Sequence, residues 1–159
     1  MKIITYISPI GELHIACRDD VVVAISDNEF DDAYLDKLLK QPSVGLSGRQ
    51  NMPVEKWLDE YFSGKIPAQY VKMELHGTIF QQQVWLACAK IPYGETRSYG
   101  ELAAMIGNPK AMRAVGSALG RNPVPILLPC HRVLQSGGKL GGFGWGLNVK
   151  QKLLNLEKM

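Results

Sequence analysis

Two stretches of the chain hold residue types that could build a reactive site, one by its nucleophile and one by its bare backbone. The first is Asn122-Pro123-Val124-Pro125-Ile126-Leu127-Leu128-Pro129-Cys130-His131-Arg132-Val133. Sulfur attacks as a thiolate, and a free thiol with a pKa of about 8.5 is mostly protonated at neutral pH, so a nearby base or positive charge must favour ionisation. His131 can be that base, directly or through a water. Three prolines within seven residues restrict the backbone and predict a stiff, extended, non-helical support for Cys130. The second stretch, Gly137 to Gly146, has six glycines in ten residues and reads as a hairpin turn followed by a loop whose bare backbone can approach a flat ligand. The competing reading is a Gly-rich surface loop beside a buried cysteine, because an isolated Cys-His pair is a weak signal.

Cys17 and Cys88 read differently. Cys17 falls in a strand-like run and Cys88 on the apolar side of a helix-like run, so both are expected in the core as reduced thiols. Three widely separated cysteines make no disulfide framework, and no Cys/His spacing suits a four-ligand zinc site. The expectation is a protein with no metal and no cofactor.

The elements that must position Cys130 are helical. Phe80, Val84, Trp85, Cys88 and Ile91 recur at helical spacing, and Pro92-Tyr93-Gly94 ends that helix. Ser98-Tyr99-Gly100-Glu101 is a capping box opening a short helix to about Ile106. Gly107-Asn108-Pro109 is a turn in which Asn108 can cap and Pro109 can begin a helix over Lys110 to Leu119. The pair makes a helix-turn-helix. Met112, Val115 and Leu119 are expected inward, leaving Lys110, Arg113, Ala114, Ser117 and Arg121 outward with Gly116 beside them. Small side chains on that face allow close backbone approach to another surface, and the cations suit phosphates. A last helix, Leu147 to Leu156, is expected to bury Val149, Leu153, Leu154 and Leu156, with Glu157 at its end.

The first half has another character. KIITYI, ELHIAC and VVVAIS read as three strands of a meander, while Asp31 to Leu39 and Val54 to Phe62 place apolar residues at helical spacing, with Pro53 at the first turn of the second. Gln41 to Asn51 reads as a loop, and Ser63 to Tyr70 leads towards the second half. Charge divides the same way. Residues 1–73 hold eight Lys/Arg and eleven Asp/Glu, whereas residues 74–159 hold ten and four, a net −3 against +6. Such asymmetry suits one half facing a polyanion.

Together these motifs resemble the O6-alkylguanine-DNA alkyltransferases. The resemblance runs through Gly77-Thr78-x-Phe80-Gln81, Val84-Trp85, Ile91-Pro92-Tyr93-Gly94-Glu95-Thr96, Ser98-Tyr99, Gly107-Asn108-Pro109, Arg113-Ala114-Val115-Gly116, Asn122-Pro123, Pro129-Cys130-His131-Arg132-Val133 and Gly141-Gly142-Phe143, covering nearly all of 77–157, and more weakly Ser8-Pro9-Ile10-Gly11. It implies that Cys130 accepts the alkyl group once and irreversibly, that His131 is the base acting through water, and that Glu157 orients His131. It further implies that Asn122 braces the turn before Cys130, that Tyr99 gives the departing guanine a proton, and that Arg113 enters the duplex as the base leaves. Ala114, Gly116, Ser117, Tyr99, Lys110 and Arg121 would meet DNA. Val133, Phe143 and Gly144 would form the base pocket, with Phe143 standing where some members have a Tyr.

The expected fold is therefore α+β: residues 1–73 as a small ribonuclease-H-like domain, and residues 74–159 as a helical domain with a winged-helix-like helix-turn-helix. The expected partner is double-stranded DNA containing O6-alkylguanine, with O4-alkylthymine open as a second substrate. The protein is expected to be a monomer away from membranes, cytoplasmic, or nuclear in a eukaryote. Two other classes compete. A lesion-binding relative without transfer would replace the cysteine, which is present, and a major-groove regulator would carry polar base-reading side chains where Ala114, Gly116 and Ser117 stand.

Overall fold

The computed structural model describes residues 1–158, so the last residue of the expected second domain lies outside it. Two compact units divide the chain, Met1–Thr78 and Ile79–Met159. Among the described residues no helix is long and apolar enough to cross a membrane.

In the first unit, β1 (Lys2–Ser8), β2 (Gly11–Arg18) and β3 (Val21–Ser26) form the expected antiparallel meander. The sheet then continues through β5 (Met73–His76), parallel to β3, to β4 (Ser43–Leu46), giving the order β1-β2-β3-β5-β4. Residues directly opposite in an antiparallel ladder share a face. Ala16 and Ala24 therefore face one side, where they pack with Leu35, Leu38 and Leu39 of α1 (Asp32–Leu39). Tyr6 and Leu13 face the other, where Tyr6 donates to Asp59 and stacks on Phe62 of α2 (Val54–Phe62). Asp31 caps α1 by accepting from the Ala33 amide, and Pro53 is the N-cap residue of α2 rather than part of its first turn.

Two sequence expectations fail here. Gln41 to Asn51 is not a plain loop: Ser43–Leu46 forms β4, with Val44 opposite Leu75. Pro42, Gly45 and Gly48 give the segment loop-like composition, and the pairing with β5 overrides it. The charge boundary at 73/74 also cuts β5, whose residues Glu74 to His76 pair with β4 and so belong to the first unit.

The second unit is helical: α3 (Ile79–Ala89), α4 (Tyr99–Met105), α5 (Met112–Gly120) and α6 (Leu147–Glu157), with a 3-10 turn at Cys130–Arg132. A two-stranded parallel ribbon, β6 (Arg97–Ser98) with β7 (Val133–Leu134), links the start of α4 to the residues just after Cys130. Its core holds Val84, Trp85, Cys88, Leu102, Val115, Ala118, Ile126, Leu128 and Leu153. Trp85 of α3 donates its indole N–H to the Ala118 carbonyl at 2.8 Å, which seats α5 on α3. Ser98 caps α4 by accepting from the Glu101 amide. Helix α5 begins two residues later than its sequence suggests, with Ala111 as N-cap and no side-chain cap, because Asn108 closes a turn through its carbonyl to the Ala111 amide.

Candidate active site

The segment carrying Cys130 is stiff but not extended. Leu128 N–H bonds back to the Val124 carbonyl, Cys130 N–H to the Leu128 carbonyl, and Ile126 takes a positive φ of 76°. The prolines thus lock a run of tight turns instead of a straight strand. Asn122, just after α5, holds that run closed: its Nδ2 donates to the Leu128 carbonyl at 3.0 Å while its Oδ1 accepts from the Val124 amide at 2.9 Å. Cys130 emerges at the head of the 3-10 turn, 9% exposed, in the wall of a pocket. Burial pushes its thiol above the ordinary range. The Asn122 side chain, the Lys150 ammonium and the backbone N–H groups of Cys130 and His131 pull the other way, so the thiolate has donors waiting for it.

His131 points away from solvent altogether. Its Nε2 stands 2.5 Å from Glu157 Oε2 at the end of α6. Arg132 bonds the same carboxylate twice, Nε to Oε1 at 2.7 Å and Nη2 to Oε2 at 3.2 Å, and gives Nη1 to the Ile91 carbonyl at 2.7 Å. The Gly94 amide adds a donor to Oε1. Burial alone would raise the Glu157 carboxyl, but the hydrogen bonds and charges of His131 and Arg132 outweigh it and bring it down to about 2. Burial lowers His131 despite the carboxylate beside it. Burial thus favours the neutral ring, and the ionised Glu157 carboxylate at Nε2 opposes that shift.

Lys150 is fully buried, and its ammonium donates to the carbonyls of Val133, Leu140 and Gly142. These bonds tie the Gly-rich loop to α6. Burial lowers the amine to about 8, with the nearby Cys130 opposing the shift. The same ammonium lies 6.0 Å from the centre of the Tyr99 ring. Tyr99 is seated by Gly141, which takes φ +69° and where a Cβ would stand 2.8 Å from the phenol oxygen. Burial raises the phenol, and the Gly142 N–H at its oxygen acts against that.

A pocket of about 480 Å³ opens over these groups, with Tyr99, Arg113, Gly116, Cys130, Phe143 and Gly144 among its walls. Six of the expected site residues thus meet at one cavity. Val133 is fully buried, with its carbonyl committed to Lys150. Lys110, Ala114, Ser117 and Arg121 are exposed along and beside α5. Among the described residues no group of three or more His, Cys, Asp and Glu is gathered where an ion could sit.

Three sequence expectations about side chains give way. Met112 is 49% exposed and lines the pocket, while Ala118 takes the interior place beside Val115 and Leu119. Val149 and Leu156 are only half-buried. The buried stripe of α6 is Lys150, Leu153, Leu154 and Glu157. Positions i, i+3, i+4 and i+7 share one helix face, so the two charges Lys150 and Glu157 on that face are a readable sign of an internal polar network that the apolar pattern alone misses. Arg132 gave no comparable signal, since nothing in its spacing distinguishes it from a solvent-facing arginine.

The family model for the 6-O-methylguanine DNA methyltransferase, DNA binding domain, matches residues 79–159. A Mycobacterium leprae methylated-DNA–protein-cysteine methyltransferase is 44% identical over 153 residues, 95% of this chain and 88% of that protein. A Mycobacterium bovis protein of the same name is 56% identical over 101 residues, 64% of this chain, and that alignment spans 61% of the relative's length. The crystal structure of Mycobacterium tuberculosis OGT in complex with DNA superposes with a TM-score of 0.78 at 42% identity, covering 97% of this chain and 91% of that one.

Proposed function

The chain belongs to the O6-methylguanine-DNA methyltransferase family, and we propose that it repairs DNA by transferring an alkyl group from O6 of guanine to Cys130 in a single, irreversible turnover. One observation carries this reading: Cys130 opens on a pocket while its neighbour His131 is paired with an ionised, buried carboxylate.

The thiol proton passes to His131 through a water, and Glu157 at 2.5 Å stabilises the imidazolium. The thiolate is met by the Asn122 amide, the turn's N–H groups and the Lys150 charge. Sulfur then attacks the alkyl carbon, an S–C bond forms as the C–O bond breaks, and the bonding electrons leave with the guanine. Tyr99 supplies a proton to that departing base. The thioether product has no bond that water readily cleaves, so one protein repairs one lesion, in contrast to an acyl-enzyme.

Double-stranded DNA is the partner this reading requires. The target atom is inaccessible inside a stacked duplex, so the nucleotide must be turned out into the pocket. Helix α5 would lie in the minor groove, where exposed Ala114 and Ser117 allow close approach and Lys110 and Arg121 meet phosphates. Arg113 would fill the gap in the stack, with Phe143 and Gly144 against the extruded base.

Intact-mass measurement after incubation with an O6-methylguanine duplex tests the reading. We expect a gain of one methyl confined to the peptide containing Cys130, and no gain in Cys130→Ala, which should still bind the lesion duplex. Methyl appearing on Cys17 or Cys88, or no mass change on folded protein, would overturn it.

A further inference from the structure

Met112 stands out on a helix that otherwise offers small or charged groups to solvent. Its side chain is half exposed, beside exposed Arg113 and Ala114. It is not loose, however. A Cβ on Gly100 would stand 3.3 Å from the Met112 sulfur, so the thioether lies across the first turn of α4. Met112, Gly116 and Gly120 all line the pocket, and a spacing of four stacks them on one face of α5. At 1.5 Å per residue they spread along about 12 Å of helix. Met112 lines the pocket and is half exposed, so it stands at the mouth, at the end of α5 away from Asn122.

An apolar side chain held at the mouth between cations has a specific complement in DNA. Lys110 and Arg113 suit phosphates and the vacated stack, while the sugar and the base edge beside an extruded nucleotide are apolar surfaces that a thioether can desolvate. Methionine is among the side chains that minor-groove proteins press against base steps. We propose that Met112 is a second, apolar DNA-contact residue. It packs on the sugar and base edge flanking the extruded nucleotide and stabilises the opened duplex, taking no part in the chemistry at sulfur. This rests on the reading of α5 as the DNA-facing helix given above.

The test compares Met112→Gln and Met112→Leu with the unsubstituted protein on an O6-methylguanine duplex and on a free O6-alkylguanine base. Both variants keep the side chain's length or bulk at a half-exposed position. Met112→Gln should react about tenfold more slowly with the duplex at sub-saturating protein. Its rate with the free base should fall by a clearly smaller factor, because that substrate brings no flanking sugar or base edge, and Met112→Leu should recover most of the duplex rate. The dependence of DNA affinity on salt should be unchanged, because no phosphate contact is lost. Equal duplex rates for Met112→Gln and the unsubstituted protein, or equal slowing on the free base, would overturn the proposal while leaving the transfer reading intact. Failure of the unsubstituted protein to transfer at all would instead overturn that reading, and this one with it.

Discussion

Nε2 of His131 and Oε2 of Glu157 stand 2.5 Å apart, and both side chains are sealed from solvent. The same carboxylate also takes two bonds from Arg132, which is itself buried and tied to the turn after α3 through the Ile91 carbonyl. A single group at the C-terminus of α6 therefore fixes the turn that carries Cys130.

Glu157→Gln should accordingly lower both stability and transfer. Removing the charge leaves Arg132 buried without its counter-ion, a change that costs about 3–5 kcal/mol. The pH dependence identifies the cause. Glu157 titrates at about 2 in the fold against 4.5 as its ordinary value, so its contribution is fully present above about 4.5 and is lost as pH falls through about 2. Denaturation midpoints at pH 6 and pH 3 should drop more for the unsubstituted protein than for Glu157→Gln, and equal drops would place the acid sensitivity elsewhere.

Lys150→Met should loosen the Gly-rich loop. The carbonyls of Val133, Leu140 and Gly142 lose their shared donor, for a destabilisation of about 2–4 kcal/mol. Amide exchange over 138–146 should speed up more than exchange in α3. Removing the cation also raises the Cys130 thiol further, shifting its reactivity with a small alkylating reagent to higher pH. Lys150 itself loses its proton near pH 8, since burial lowers it from 10.5. The reactivities of the two proteins should therefore differ most below pH 8 and converge above it. A constant offset would mean that the Lys150 charge does not act on the thiol.

The meander β1-β2-β3, the helices of the second unit and the candidate Cys130-His131 pair were legible in the sequence because each rests on local signals: alternation, helical spacing, a capping Ser98, a Cys beside a His. Strand β4 was not, because its pairing with β5 joins segments about thirty residues apart that carry loop-like composition. Helical period alone points Met112 inward, whereas the helix starts late and Ala118, whose carbonyl accepts from the Trp85 indole, takes the interior place. The roles of Arg132 and Lys150 depend on which carbonyls and carboxylates the fold brings to them, a matter of tertiary arrangement that spacing does not encode.

Gly141→Ala tests how tightly Tyr99 must be placed. The new methyl would meet the phenol oxygen at 2.8 Å and a ring carbon at 2.9 Å, on a backbone whose φ of +69° already disfavours a side chain. Tyr99 has to move, so transfer should slow at saturating DNA, by a factor comparable to Tyr99→Phe. If the phenol is the proton donor, the double variant should be little slower than either single one. Additive losses would show that Gly141 acts through something other than Tyr99.

Arg113→Ala separates DNA handling from chemistry. Arg113 is exposed at the pocket, one residue from Met112, whereas the groups around the sulfur are buried. If it fills the space an extruded base leaves, its removal returns an unstacking penalty of a few kcal/mol, and reaction with alkylated duplex should slow by roughly tenfold to a hundredfold. A free O6-alkylguanine base needs no extrusion, so its rate should hold. A lesion placed in a weak mismatch should suffer less than one in a stable pair, because part of the opening cost is already met. A role confined to phosphate contact makes the opposite forecast: affinity falls on all DNA alike, and lower salt or more protein restores the rate. The decisive measurement is the duplex rate at saturating protein and low salt. An unchanged rate there would end the stacking role, and equal slowing on the free base would move Arg113 into the architecture of the pocket itself.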